Sequence, residues 1–96
     1  YINSISQILN DLGININTVP VLDVARDKTN KIIGDRAFSN RVKIVSKLGD
    51  YCIKLYTKNR IGTVIKHIPG HGMAKCDSHF KTPIIKLKKK ILAKYK

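Results

Sequence analysis

The chain has 96 residues and carries 19 Lys and Arg against 6 Asp, a formal net charge of +13. That length allows one small domain or a piece of a larger one. Its 43% hydrophobic content is too high for a disordered tail, and its apolar runs are far too short for a membrane-spanning helix.

Ile2, Ile5, Leu9 and Leu12 recur at spacings of three and four and predict a helix over 2–12 with one apolar stripe. Asn3 or Ser4 is suited to cap its start, and Gly13 to follow its end. The next segment, INTVPVLDVA at 16–25, is rich in β-branched residues and predicts a buried strand around Thr18–Val24. Pro20 cannot donate to a ladder, so it requires a strand start or a bulge. Residues 26–39 have no period and read as a loop. Ser39 or Asn40 opens a second helix, with Val42, Val45, Leu48, Cys52, Leu55 and Tyr56 on its apolar face and Asn59 at its end. Gly62–His67 predicts a second short strand, followed by a Gly- and His-rich loop over 68–80. Beyond Pro83, the positions Ile84, Leu87, Ile91 and Tyr95 predict a Lys-rich helical end over 84–96.

Helix, strand, helix, strand, loop, helix is the order of an α/β chain with parallel strands and crossover helices. Two strands do not finish a parallel sheet, whose faces and edges need cover. Residues 1–96 therefore read as a single partial domain, without linker or repeat. The chain opens on Tyr1 and its one Met is Met73, as expected of a cut, processed or partial chain. Its first residues lack the basic flank and apolar run of a secretory signal. Cys52 and Cys76 are too few for a disulfide scaffold, which points to a reducing, cytoplasmic setting.

The charge is uneven. Residues 81–96 hold seven Lys and no acid, so this end attracts polyanions weakly and in a salt-dependent way. Aromatic and basic residues do not interleave there as they do in single-strand binders. Glu is absent, and Ile, Lys and Asn fill 37 positions, a set that AT-rich codons favour. No specific nucleic-acid partner is expected; a small basic nucleic-acid-binding protein is the alternative that the charge keeps open.

Ionisable residues concentrate where the second predicted strand ends: Lys66, His67, His71, Asp77 and His79. In α/β folds the loops after strand C-termini build the site. Gly70 and Gly72 flank His71 and permit a tight turn or a close backbone approach. Three readings stand side by side. The histidines can simply be solvated. His67, His71, Asp77 and His79 have the ligand types of a zinc or iron site, as in a metal-dependent hydrolase, although Pro69 and Gly70 keep His67 and His71 from forming a helical pair. Or Asp77 and His79, two residues apart, meet on a turn so that the carboxylate fixes the tautomer of the imidazole. The bland version of that last spacing is an Asx-type turn, with Asp77 bonded to a nearby backbone N–H.

PVLDV at 20–24, IGDRAF at 33–38, KHIPGHG at 66–72 and DSH at 77–79 occur in that order. Together they resemble the bacterial β-N-acetylhexosaminidases of glycoside hydrolase family 3, over about residues 5–85. The resemblance implies a partial (β/α)8 TIM-type barrel, of which this chain supplies about two strand–helix units. It also implies a retaining hydrolase that removes terminal β-linked N-acetylglucosamine from muropeptides during peptidoglycan recycling, without a cofactor or metal. By the motifs, His79 is the acid/base, Asp77 its orienting partner, and Arg36, Lys66 and His67 hold the sugar. His71, between glycines, shapes the turn. Ile68 stands where relatives usually carry an aromatic. None of the six Asp matches the family's nucleophile motif, so the chain is expected to be inactive alone and to need a complementary barrel fragment. Without the resemblance, Arg36 reads equally well as the partner of Asp35 or Asp27 in a salt bridge.

Overall fold

The computed structural model describes residues 1–26, 32–68, 70–74 and 76–85. Among the described residues, two helices and a short parallel strand pair form one α/β unit. Helix α1 spans Ile2–Asp11 and turns Ile2, Ile5 and Leu9 onto the core residues Cys52, Tyr56 and Ile61. Leu12, expected on the same stripe, is 68% exposed because it caps the helix end instead. That end is built as the spacing predicts. Gly13 takes φ +72°, its N–H bonds Asn10 O at 2.9 Å, and the Ile14 N–H bonds Leu9 O at 2.8 Å. This pair of bonds is a Schellman closure, and it satisfies carbonyls that would otherwise be orphaned. The start differs from expectation: Tyr1 holds the cap position without a side-chain bond, and the Asn3 side chain instead accepts from Asn59 Nδ2 at 2.9 Å.

Helix α2 spans Val42–Lys58. It begins two residues later than Asn40, with no side-chain cap; Ser39 Oγ accepts the Arg41 N–H ahead of it. It ends at Asn59, as expected, and the Asn59 side chain donates to Leu55 O at 2.7 Å. The same Schellman bonds close it, from Arg60 to Thr57 O and from Ile61 to Tyr56 O, both at 3.0 Å. Here, however, the left-handed position is Arg60, at φ +62°, rather than a glycine. The buried residues of α2 are Val45, Gly49, Cys52 and Tyr56, while Val42 and Leu48 are exposed. Gly49 takes the inward position expected of Leu48 because the helix there lies directly on Pro20 and Leu22, in the segment after the first strand. A Cβ on Gly49 would sit 2.5 Å from Leu22 Cδ2.

The strands are shorter than expected, and the first forms ahead of the expected Thr18–Val24, with its Ile16 exposed. Strand β1 is Ile16–Asn17 and β2 is Gly62–Thr63, paired in parallel with Ile16 opposite Gly62 and Asn17 opposite Thr63. Regular pairing stops at Asn17 and returns as a single bridge, Val21 to Lys66. The offset between partners falls from 46 to 45, so the first strand carries one extra residue before Val21. Pro20 sits in that bulge, offers only its carbonyl, and accepts the Lys66 N–H at 3.1 Å. This is how a proline is tolerated within a paired segment. Within the expected loop, Gly34–Arg36 forms one 3₁₀ turn. The expected helix over 84–96 lies outside the described residues from 86 onward, and Ile84 and Ile85 are not helical.

Candidate functional site

Both strands run in the same direction, and their C-terminal ends carry the polar residues. Val21 bridges Lys66, and the Leu22 N–H bonds Lys66 O at 2.6 Å. Asp23 therefore lies beside His67. Lys66 is held along the strand, and its Nζ donates to Thr18 Oγ1 at 3.3 Å.

Asp23 anchors the loop after β2. It is 4% exposed. Its Oδ2 accepts the His67 backbone N–H at 3.2 Å and lies 2.5 Å from His67 Nδ1. Its Oδ1 accepts the His71 N–H at 2.5 Å and the Gly72 N–H at 2.7 Å. Burial pushes the Asp23 carboxyl up. The His67 side chain and the Gly72 and His71 amides outweigh that and hold it below its usual value of 3.8. Gly72 is required sterically: a Cβ there would come within 2.9 Å of Val24 O. Gly70 is at φ +125°, a conformation that side chains rarely adopt. The sequence assigned no role to Asp23; its one signal was a lone carboxylate inside an apolar, β-branched segment.

Asp77 and His79 form the second feature. Asp77 Oδ1 accepts the His79 backbone N–H at 2.8 Å and stands 2.6 Å from His79 Nδ1. The Asx-type turn and the carboxylate–imidazole pair are thus one arrangement. The backbone N–H of His79 and then its side chain hold the Asp77 carboxyl below its ordinary value, against the opposing effect of burial. The His79 side chain is 76% exposed, with Nε2 directed away from its partner nitrogen, so the ring can both donate and accept a proton toward a ligand.

His71 lies between the two features. Its ring meets that of His67 edge-on, with centroids 5.7 Å apart, and its carbonyl accepts the Ala74 N–H. Both its ring nitrogens are buried without a hydrogen-bond partner among the described residues. The four-ligand metal set His67, His71, Asp77 and His79 does not form. Among the described residues no group of three or more His, Cys and Asp side chains is placed to hold a metal ion. Nδ1 of His67 is taken by Asp23 and Nδ1 of His79 by Asp77, which separates the set into two pairs.

Arg36 is exposed on its 3₁₀ turn, and its guanidinium donates to the Ile32 carbonyl. It forms no ion pair with Asp35, and Asp27 lies outside the described residues. Its segment is tied to the chain that follows β1 by the Ala25 N–H, which bonds Ser39 O at 3.0 Å. No hydrogen bond joins Arg36 to Lys66, His67, Asp77 or His79. A cleft of about 90 Å³ opens beside Asp23, lined by Leu22, Val24, Arg26, Gly70, Gly72 and Met73. That is well below the roughly 300–1,000 Å³ that small-molecule sites usually enclose.

A conserved-domain match gives this arrangement its family. The N-terminal domain of glycosyl hydrolase family 3 matches residues 3–96, and the chain belongs to that family. It is 38% identical to a β-hexosaminidase A of Pseudoalteromonas piscicida over 81 residues, which is 84% of this chain and 14% of that protein. Among solved structures it is similar to NagZ of Neisseria gonorrhoeae in complex with N-trifluoroacetyl-D-glucosamine. The TM-score is 0.81 and the identity 29%, over 93% of this chain and 26% of that one. It is also similar to a family 3 β-N-acetylglucosaminidase from Paenibacillus sp. str. FPU-7. There the TM-score is 0.85 and the identity 31%, over 93% of this chain and 17% of that one. The chain thus spans between about a seventh and a quarter of the length of these relatives.

Proposed function

We propose that this chain is the acid/base and sugar-holding part of a retaining β-N-acetylhexosaminidase. The observation that carries the reading is the Asp77–His79 pair, 2.6 Å between Oδ1 and Nδ1, on an exposed turn next to the loop that carries Lys66 and His67. In this reading Nε2 of His79 protonates the leaving oxygen and then takes a proton from water as the glycosyl–enzyme is resolved. Asp77 sets the tautomer and stabilises the imidazolium. Family 3 in this reading departs from the common scheme of two carboxylates.

Lys66 and Arg36 bind sugar hydroxyls through charged donors, which bond more strongly than neutral ones, and His67 binds them through its imidazole. The substrate is a terminal β-linked N-acetylglucosamine, supported by the analogue bound to the gonococcal relative. Muropeptides in cytoplasmic peptidoglycan recycling are the proposed source. The unit forms about two strand–helix repeats of a (β/α)8 barrel, which the parallel pairing and the α2 crossover support. No Asp of this chain matches the nucleophile motif, so turnover requires a carboxylate from outside residues 1–96, in a complementary barrel segment.

The test places residues 16–85 within a complete β-hexosaminidase. His79→Ala should slow substrates with sugar-alcohol leaving groups by about 10²–10⁴, the usual weight of one acid/base group. Aryl substrates with acidic leaving groups should lose far less in the first step, because they depart without a proton. Asp77→Ala should follow the same trend more mildly. An equal loss across the leaving-group series removes the acid/base role.

A further inference from the structure

We infer that Asp23 is a positioning residue that assigns the proton on His67, so that Nε2 is the ring atom offered to the sugar. The inference rests on the sugar-holding role proposed for His67. It goes beyond that role by naming what orients it.

An ionised carboxylate only accepts hydrogen bonds. Asp23 is buried and kept ionised by four donors, two on each oxygen. A ring nitrogen 2.5 Å from Oδ2 must therefore carry a hydrogen, and the neutral ring is the Nδ1–H form with its lone pair on Nε2. Such an outer partner fixes both the tautomer and the orientation of an imidazole. The same carboxylate binds the amides of His71 and Gly72, so one side chain sets the ring and the loop that carries it. The strand bridge at Val21–Lys66 and the Leu22 N–H bond to Lys66 O hold the two strand ends together immediately beside the clamp.

The isosteric change Asp23→Asn separates this from a merely structural role. The amide oxygen can replace Oδ1 and keep accepting from His71 and Gly72. Its NH₂ then replaces Oδ2, forgoes the bond from the His67 backbone N–H, and points a donor at Nδ1, which must give up its hydrogen. The proton should move to Nε2.

The experiment uses the whole chain labelled with ¹⁵N-histidine and observed at pH 8, where an ordinary imidazole is neutral. In the wild type, His67 Nδ1 should show the protonated signature and Nε2 the unprotonated one. In Asp23→Asn the two should exchange completely. A wild-type His67 that is Nε2–H, or that averages the two forms, overturns the proposal; so does an unchanged Nδ1–H ring in Asp23→Asn. Should the variant not fold, the wild-type spectrum alone decides. Titration with N-acetylglucosamine, followed on the His67 Nε2 and Lys66 Nζ signals, forms the second arm. Binding should weaken about tenfold in Asp23→Asn, the effect of losing one correctly presented charged-site hydrogen bond. Equal binding by both proteins overturns the proposal. If the tautomer exchanges as stated but the sugar moves neither signal in the wild type, the clamp stands and the sugar-holding reading fails.

Discussion

Two glycines, each replaced by alanine, should give unequal losses that the shorter contact alone would rank wrongly. At Gly72 the new Cβ would lie 2.9 Å from Val24 O, 3.3 Å from Asp23 Cβ and 3.4 Å from Val24 N. Two of these are backbone atoms of the paired segment, which cannot step aside without moving the strand. Overpacking of this kind costs about 1–3 kcal/mol. The displacement also pulls the Gly72 N–H off Asp23 Oδ1, leaving a buried carboxylate short of a donor, for about 1–3 kcal/mol more. At Gly49 the nearest atom is closer, 2.5 Å, but it is Leu22 Cδ2, the far end of a side chain that can rotate. There alanine gains about 1 kcal/mol of helix propensity in the middle of α2, which offsets most of the repacking. Gly72→Ala should therefore destabilise by about 2–6 kcal/mol, and Gly49→Ala by less than about 1.5 kcal/mol. For a domain of this size the first corresponds to a fall in Tm of more than roughly 10 °C. Thermal and urea unfolding of the three chains checks this. A larger loss at Gly49 than at Gly72, or a Gly72 variant as stable as the wild type, would refute the reasoning.

Arg60→Gly should stabilise the chain by about 0.5–1 kcal/mol, because φ +62° strains a residue with a Cβ at the closure of α2 and the exposed side chain loses little packing; unfolding midpoints measure it, and a loss would mean that the Arg60 side chain holds a contact worth more than the strain. Asp23, held below its usual 3.8, contributes stability that is fully present above the ordinary carboxylate range and fades as pH falls through its lower folded value. Urea midpoints at pH 5 and pH 2 should thus fall further for the wild type than for Asp23→Asn, and parallel slopes would contradict the clamp.

The helix ends, the turn glycine and the Asp77–His79 pair were legible in the sequence because each depends on neighbours within a few residues. Gly13 and Asn59 close their helices with bonds from the last turn, and Asp77 reaches His79 across two residues. The family motifs were legible for the same reason: each is a short run. What the chain does over long separations was not. Asp23 finds its donors 44 to 49 residues away, so nothing in PVLDV distinguishes a loop anchor from a strand polar residue. The apolar period placed Leu48 inward, but the helix approaches Pro20 and Leu22 so closely that the small Gly49 takes that place. Pro20 marks a strand start or a bulge in the sequence, since it brings no N–H to the ladder, but only the pairing shows that the register slips by one residue before Val21 and that regular pairing lies earlier, at Ile16–Asn17. The metal set failed for a related reason. Spacing counts ligands, but only packing shows that the Nδ1 atoms of His67 and His79 are already engaged by two different carboxylates. Local hydrogen bonding and periodicity determine the elements, and the tertiary contacts between the two strand ends decide which polar groups meet.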